Sequence, residues 1–110
     1  MTADLRAYTL GRTLGTGEQS LQNDWLRRNT TGDALIRAGT QAGWSVGDKT
    51  GTGGYGTRND IAVVRPPESA PIVLTVLTRR RAPRAEPRDA LVAEAARVTL
   101  TTLARDRQGR

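Results

Sequence analysis

The chain has 110 residues, enough for one small domain with a modest core. It contains neither cysteine nor histidine, which excludes a disulfide framework, a thiolate metal site, a cysteine nucleophile and any Ser-His-Asp triad. The formal charge is +6 and Lys49 is the single lysine among 17 basic residues; that balance permits contact with nucleic acid or acidic surfaces without demonstrating it.

The start, "MTADLRAYTL", lacks the apolar centre of a secretory signal, and no run approaches transmembrane length. As written, the chain reads as soluble, cytoplasmic and without an export address. Thr2 is placed to cap a first helix, with Leu5, Tyr8 and Leu14 on its inner side and Gly15 ending it. A second helix is expected over 18–28, where Leu21 and Trp25 lie one turn apart and Leu26 widens the stripe. "NTTGD" (29–33) breaks that pattern, and a short helical turn at 34–37 stops at Gly39.

From Trp44 the chain turns to strands: "WSVGDKTGT", "TRNDIAVVRPP" and "PIVLTVLTRR". The short connections favour antiparallel neighbours. Both faces are apolar over 61–64, as they are over most of 72–77, so the sheet expects cover on two sides. Pro87 suits the first turn of a last helix, in which Leu91, Ala95 and Val98 form an apolar stripe joined by Leu103. Arg105 and Arg107 near its end complement the helix dipole.

The expected fold class is therefore α+β: helices within 3–37, three antiparallel strands within 44–79, and one long helix over 87–105 packed on the sheet. A three-stranded sheet with two apolar faces and open edges makes a poor free-standing domain. The chain is expected to be part of something larger, and association-prone on its own.

The stretch "GDKTGTGGYGTRND" (47–60) concentrates five of the 12 glycines beside Lys49. Gly51, Gly53 and Gly56 match the spacing of the dinucleotide fingerprint, but that motif needs a helix to leave it, and here a strand leaves. "DKT" is no Walker element, because Asp48 stands where a glycine is needed and would repel phosphate. A glycine-rich hairpin explains the glycines but not Lys49, Thr50, Thr52 and Arg58 around it. In an antiparallel pair, Lys49 and Arg58 are expected to converge on one anionic group with the hydroxyls beside it.

"KTGTGGYGTRNDIAVV" resembles the Lys-Thr-Gly strand and its successor in class A serine β-lactamases, especially those of actinomycetes. "DWLRRNTTGDALIRAG" (24–39) is similar to the segment before that strand, and "APIVLTVLTRR" and "DALVAEAARV" resemble the family's last strand and C-terminal helix. The likeness runs collinearly through nearly the whole chain; "RRRAPRAEPR" and the last few residues fit loosely. It implies a C-terminal segment of a β-lactamase/transpeptidase-like fold whose N-terminal strands, most of the all-helical domain and export signal are absent from this sequence. Complete members are typically secreted.

The resemblance also implies roles. Lys49 would attract the substrate carboxylate and tune neighbouring groups, and the Thr50 hydroxyl would donate to that carboxylate. Gly51 would keep the strand edge open, and the Thr52 backbone N–H would be one of two oxyanion donors. Arg58 would help hold the carboxylate from the adjacent strand, with Asn29 and Thr31 bordering the site. No cofactor and no metal are implied; the partners are a β-lactam in the complete enzyme and the remainder of the same fold.

Other motifs of that family are not in these residues. The lysine three places after a serine is missing, since Val46 stands three before Lys49, and no S-D-N triplet occurs. No glutamate sits four residues before an asparagine. An oxyanion donor assists attack without performing it, so the isolated chain is expected not to hydrolyse β-lactams.

Two other readings compete. The arginines at 79–81, with Arg84 and Arg88, would make a small nucleic-acid-binding module, but few aromatics accompany them and Glu86 and Asp89 interrupt the patch. A solvated loop explains that run better, and neither nucleic acid nor membrane is expected as a partner. A penicillin-binding transpeptidase shares the Lys-Thr-Gly strand, whereas "NTTGDALIRAG" points to β-lactamase. Trp25 and Trp44 read as core or boundary packing, Asp60 as a structural hydrogen-bonding group, and Glu94 as solvent-facing.

Overall fold

The computed structural model describes residues 1–108, with side chains to residue 105. Helices α1 (Thr2–Thr9) and α2 (Thr16–Arg27) precede a 3-10 helix (Ile36–Gly39). Strands β1 (Ser45–Gly53), β2 (Thr57–Arg65) and β3 (Ile72–Thr78) follow, then helix α3 (Asp89–Gln108). The sheet is antiparallel in the order β1-β2-β3, so both outer strands keep a free edge among the described residues. The expected α+β layout and strand order hold.

Alternation along the strands sorts the sheet into two faces. Val46, Ala62, Val64 and Ile72 point to one side, where they form the core with Leu35, Ile36 and the α3 residues Val92, Ala96 and Leu100. The other side carries Gly47, Val63 and Thr75. There α2 comes close to Gly47, whose added Cβ would lie 3.0 Å from Leu26 Cβ, and α1 is tied to β3 by a 2.8 Å bond between the Thr2 and Thr75 hydroxyls. Cover on two sides is what the apolar strands required.

The helix details correct the sequence reading in several places, and Tyr8, expected on the inner side of α1, is exposed. Thr2 is not the cap of α1: Met1 takes that place and makes no side-chain cap bond. The helix ends at Thr9, where the Leu10 and Gly11 N–H groups both close on the Arg6 carbonyl, and Gly15 is instead the N-cap of α2. On α2 the expected inner stripe faces outward, with Leu21 and Trp25 exposed. Asn23 and Leu26 turn inward instead, Asn23 donating to the Thr9 carbonyl at 3.0 Å.

On α3 the buried stripe is Val92, Ala96 and Leu100 rather than Leu91, Ala95 and Val98; Leu91 and Val98 are about half exposed. The reason is steric. Gly39 of the 3-10 helix lies against the helix so closely that a Cβ there would meet Ala96 Cβ at 3.0 Å and the Ala93 carbonyl at 2.4 Å. The small residue Ala96 therefore sets which side docks. The helix begins at Asp89, with Pro87 outside it, and the Arg107 side chain lies outside the described residues.

Candidate active site

The β1–β2 hairpin places the site. Its turn runs through Tyr55 and Gly56, both with positive φ (61° and 59°), closed by Thr57 N–H to the Gly54 carbonyl at 3.2 Å. The 79–88 connection braces this tip: the Tyr55 N–H donates to the Pro83 carbonyl at 3.0 Å, and the Arg79 guanidinium sits 4.9 Å over the Tyr55 ring. Arg79 and Arg80 thus have structural work, Arg80 reaching the Glu86 carbonyl at 3.1 Å.

The hairpin register pairs Thr52 with Arg58, Thr50 with Asp60 and Lys49 with Ile61. Cross-strand partners share a face, so Thr50, Thr52 and Arg58 lie on the α3 side while Lys49 leaves the opposite side. The strand pleat therefore keeps Lys49 and Arg58 from meeting over either face of the sheet. An anion touching both would have to sit at the exposed edge of β1. Lys49 is exposed, and its ammonium donates to the Thr50 carbonyl at 2.9 Å.

Arg58 is fixed on three sides. Its Nε donates to Asp89 Oδ1 at 3.0 Å, Nη2 donates to the Thr31 carbonyl at 3.2 Å, and Nη1 donates to the Thr52 hydroxyl. Thr31 also gives its hydroxyl hydrogen to Asn29 Oδ1 at 2.9 Å, so in its 2.8 Å bond with Thr50 it is the acceptor. One chain of polar contacts thus runs from Asn29 through Thr31 to Thr50, and a second from Asp89 through Arg58 to Thr52. Between the two threonines Gly51 is open on the Lys49 side of the strand: a Cβ added there would meet nothing within 4 Å.

Behind Lys49 the strand is anchored by a buried polar cluster. Asp48 and Asp60 are both fully buried. Asp48 Oδ1 accepts from Arg37 Nη2 at 3.0 Å and from Asn29 Nδ2 at 3.1 Å, and Asp60 Oδ2 accepts from the Ile36 N–H at 3.1 Å. Desolvation first, then the adjoining Asp48 carboxylate, push the Asp60 carboxyl up to about 8, against the Ile36 N–H and the Arg37 charge. The expected structural role of Asp60 fits this position.

Residue by residue, Lys49, Thr50, Gly51, Thr52 and Arg58 share one end of the hairpin, with Asn29 and Thr31 beside them. Asp89 and Arg37 complete the arrangement and were not singled out in the sequence. Asp89 lies 31 residues from Arg58, at the start of the last helix, and only the fold joins them. Trp25, expected to pack, is exposed, while Trp44 borders the core and Glu94 faces solvent, paired with Arg97. A hollow of about 440 Å³, lined by Trp44, Pro66, Pro67 and Ile72 among others, lies at the opposite end of the strands from Thr52.

The model of the beta-lactamase enzyme family matches residues 1–103. The chain belongs to that family. It is 58% identical over 103 residues to a beta-lactamase of Bacillus amyloliquefaciens, covering 94% of this chain and 34% of that protein. It is 59% identical over 100 residues to a beta-lactamase of Amycolatopsis lactamdurans, covering 91% of this chain and 33% of the relative. Beta-lactamase AST-1 of Nocardia asteroides is 48% identical over 103 residues, again a third of its length. The chain spans about a third of the curated β-lactamases it matches, and among its described residues no helix is long and apolar enough to cross a membrane.

Proposed function

We propose that this chain forms the substrate-carboxylate wall and half of the oxyanion hole of a class A serine β-lactamase, the ring-opening chemistry being completed by residues outside these 110. The observation that carries the reading is the polar edge itself: an exposed lysine, two threonine hydroxyls and a fixed guanidinium around an open glycine position.

Each group has a task suited to its chemistry. The Lys49 ammonium supplies a compact charge for a carboxylate. The Thr50 hydrogen is committed to Thr31 here, so donation to substrate requires that hydroxyl to turn, leaving Thr31 as its resting acceptor. Arg58, oriented by Asp89, offers a rigid planar donor behind it. Backbone groups two residues apart on a strand point the same way. The Thr50 carbonyl reaches Lys49, so the Thr52 N–H faces the same side and can stabilise a developing oxyanion.

The test is a chimera in which residues 1–103 replace the matching third of the Bacillus amyloliquefaciens relative. Turnover of a chromogenic β-lactam, lost on Lys49→Ala with the fold intact, is the expected result. A folded chimera that turns over nothing, or that is indifferent to Lys49→Ala, overturns the reading.

A further inference from the structure

We propose that Asp48 and Asp60 hold one proton between them, carried on Asp60 and donated to Asp48 Oδ2, and that this bond latches the 3-10 helix to the strand bearing Lys49. The inference does not depend on the hydrolase reading; it rests on counting donors. Asp48 Oδ1 takes its two hydrogen bonds from Arg37 and Asn29, and Asp60 Oδ2 takes one from Ile36. The two remaining oxygens, Asp48 Oδ2 and Asp60 Oδ1, are buried and have no donor.

The strand register sets these residues diagonally on one face of β1 and β2, Asp48 opposite Ala62 and Asp60 opposite Thr50. Gly32 closes the space over Asp48 Oδ2 so tightly that a Cβ there would fall 1.7 Å from it, which leaves no room on that side for a water. A proton shared by the two carboxyls satisfies both orphan oxygens at once.

Charge gives the same answer. Arg37 is the cation that faces the pair, donating through Nη2 to Asp48 and to the Val46 carbonyl, with Asp33 3.5 Å from its Nη1. On the third strand the residue in register with Asp60 is Val76, and α3 packs on the same face of the sheet through the apolar core residues Val92, Ala96 and Leu100. One guanidinium beside two fully buried carboxyls leaves one negative charge uncompensated unless a proton stays. Because Asn29 bonds both Asp48 and Thr31, and Thr31 bonds Thr50, the latch also braces the hydroxyl edge of the site.

The sign of the pH effect follows from the direction of the shift. Asp60 is raised from 3.8 to about 8, so the folded chain holds a proton that the unfolded chain has released. Its contribution to stability is complete below about pH 4 and is lost progressively as pH rises towards about 8.

The experiment is a ¹³C titration of the aspartate carboxyl carbons in the full chain, with melting temperature followed over the same pH range in wild type and in Asp60→Asn. The amide keeps an oxygen for the Ile36 N–H and gives an N–H to Asp48, so it mimics the protonated state. One carboxyl carbon is expected to stay in its protonated position through neutral pH and to be missing from Asp60→Asn. The wild-type melting temperature is expected to fall relative to the variant between about pH 4 and about pH 8. If every aspartate titrates near its ordinary value, or the two melting profiles run parallel, the shared proton is disproved. Should Asp60→Asn not fold, the wild-type carboxyl titration decides alone.

Discussion

Arg58 Nε donates to Asp89 Oδ1 at 3.0 Å, a contact that ties the second strand to the first residue of the last helix. Arg58 is mostly covered while Asp89 is about half exposed, so solvent screens the pair in part. A double-mutant cycle on Arg58→Ala and Asp89→Ala is expected to give a coupling of about 1 kcal/mol, reduced at high salt. A coupling indistinguishable from zero at low salt would mean that Asp89 does not hold the guanidinium in place.

The docking side of α3 separates two variants of one residue type. Leu100 is 2% exposed and packs in the core, whereas Leu91 is 48% exposed. Leu100→Ala is expected to cost about 2–5 kcal/mol, through lost burial and the cavity left behind. Leu91→Ala is expected to change stability by roughly 0.5 kcal/mol or less. Equal losses would show that the helix packs on both stripes. The melting temperatures of the two variants make the comparison directly.

That choice of side marks the limit of what the residues alone reveal. Both candidate stripes on α3 are apolar at helical spacing, and only the close approach of Gly39 to Ala93 and Ala96 selects between them. The exposed Leu21 and Trp25 are a similar case, because periodicity locates an apolar side without saying what covers it. The strands were readable: alternation, β-branched runs and the glycine turn all agree on one hairpin. That Lys49, Thr50, Gly51, Thr52 and Arg58 share one end of the hairpin was readable too, since they are close in sequence, but the pleat that puts Lys49 on the opposite face from Arg58 was not. Asp89 beside Arg58 and Asp48 diagonal to Asp60 were not, since each pairing exists only through register or chain return.

The chain by itself is expected to show no β-lactam turnover above buffer. Binding groups and one oxyanion amide lower a barrier only when a nucleophile attacks, and no serine here has a lysine three residues on. The check is a chromogenic β-lactam assay on the pure chain, alone and against Lys49→Ala. Turnover that disappears with Lys49→Ala would assign a nucleophile within these residues.

Two glycines should respond in opposite directions to alanine. Gly32 is buried against the carboxyl pair, and the new methyl of Gly32→Ala would fall 1.7 Å from Asp48 Oδ2. Relief requires moving either the 29–33 turn or a strand, which breaks the Asn29 and Arg37 bonds to Asp48 together. A loss of at least about 2 kcal/mol is expected, as for other overpacked buried sites. Gly17 sits in the first turn of α2 with nothing within 4 Å of its added Cβ, so Gly17→Ala gains helix propensity at no steric cost. Its stability is expected to rise by roughly 0.5–1 kcal/mol. Thermal unfolding of the two variants reads out both signs. If Gly32→Ala were neutral, the carboxyl pair would have space to shift, and the donor count behind the shared proton would no longer hold.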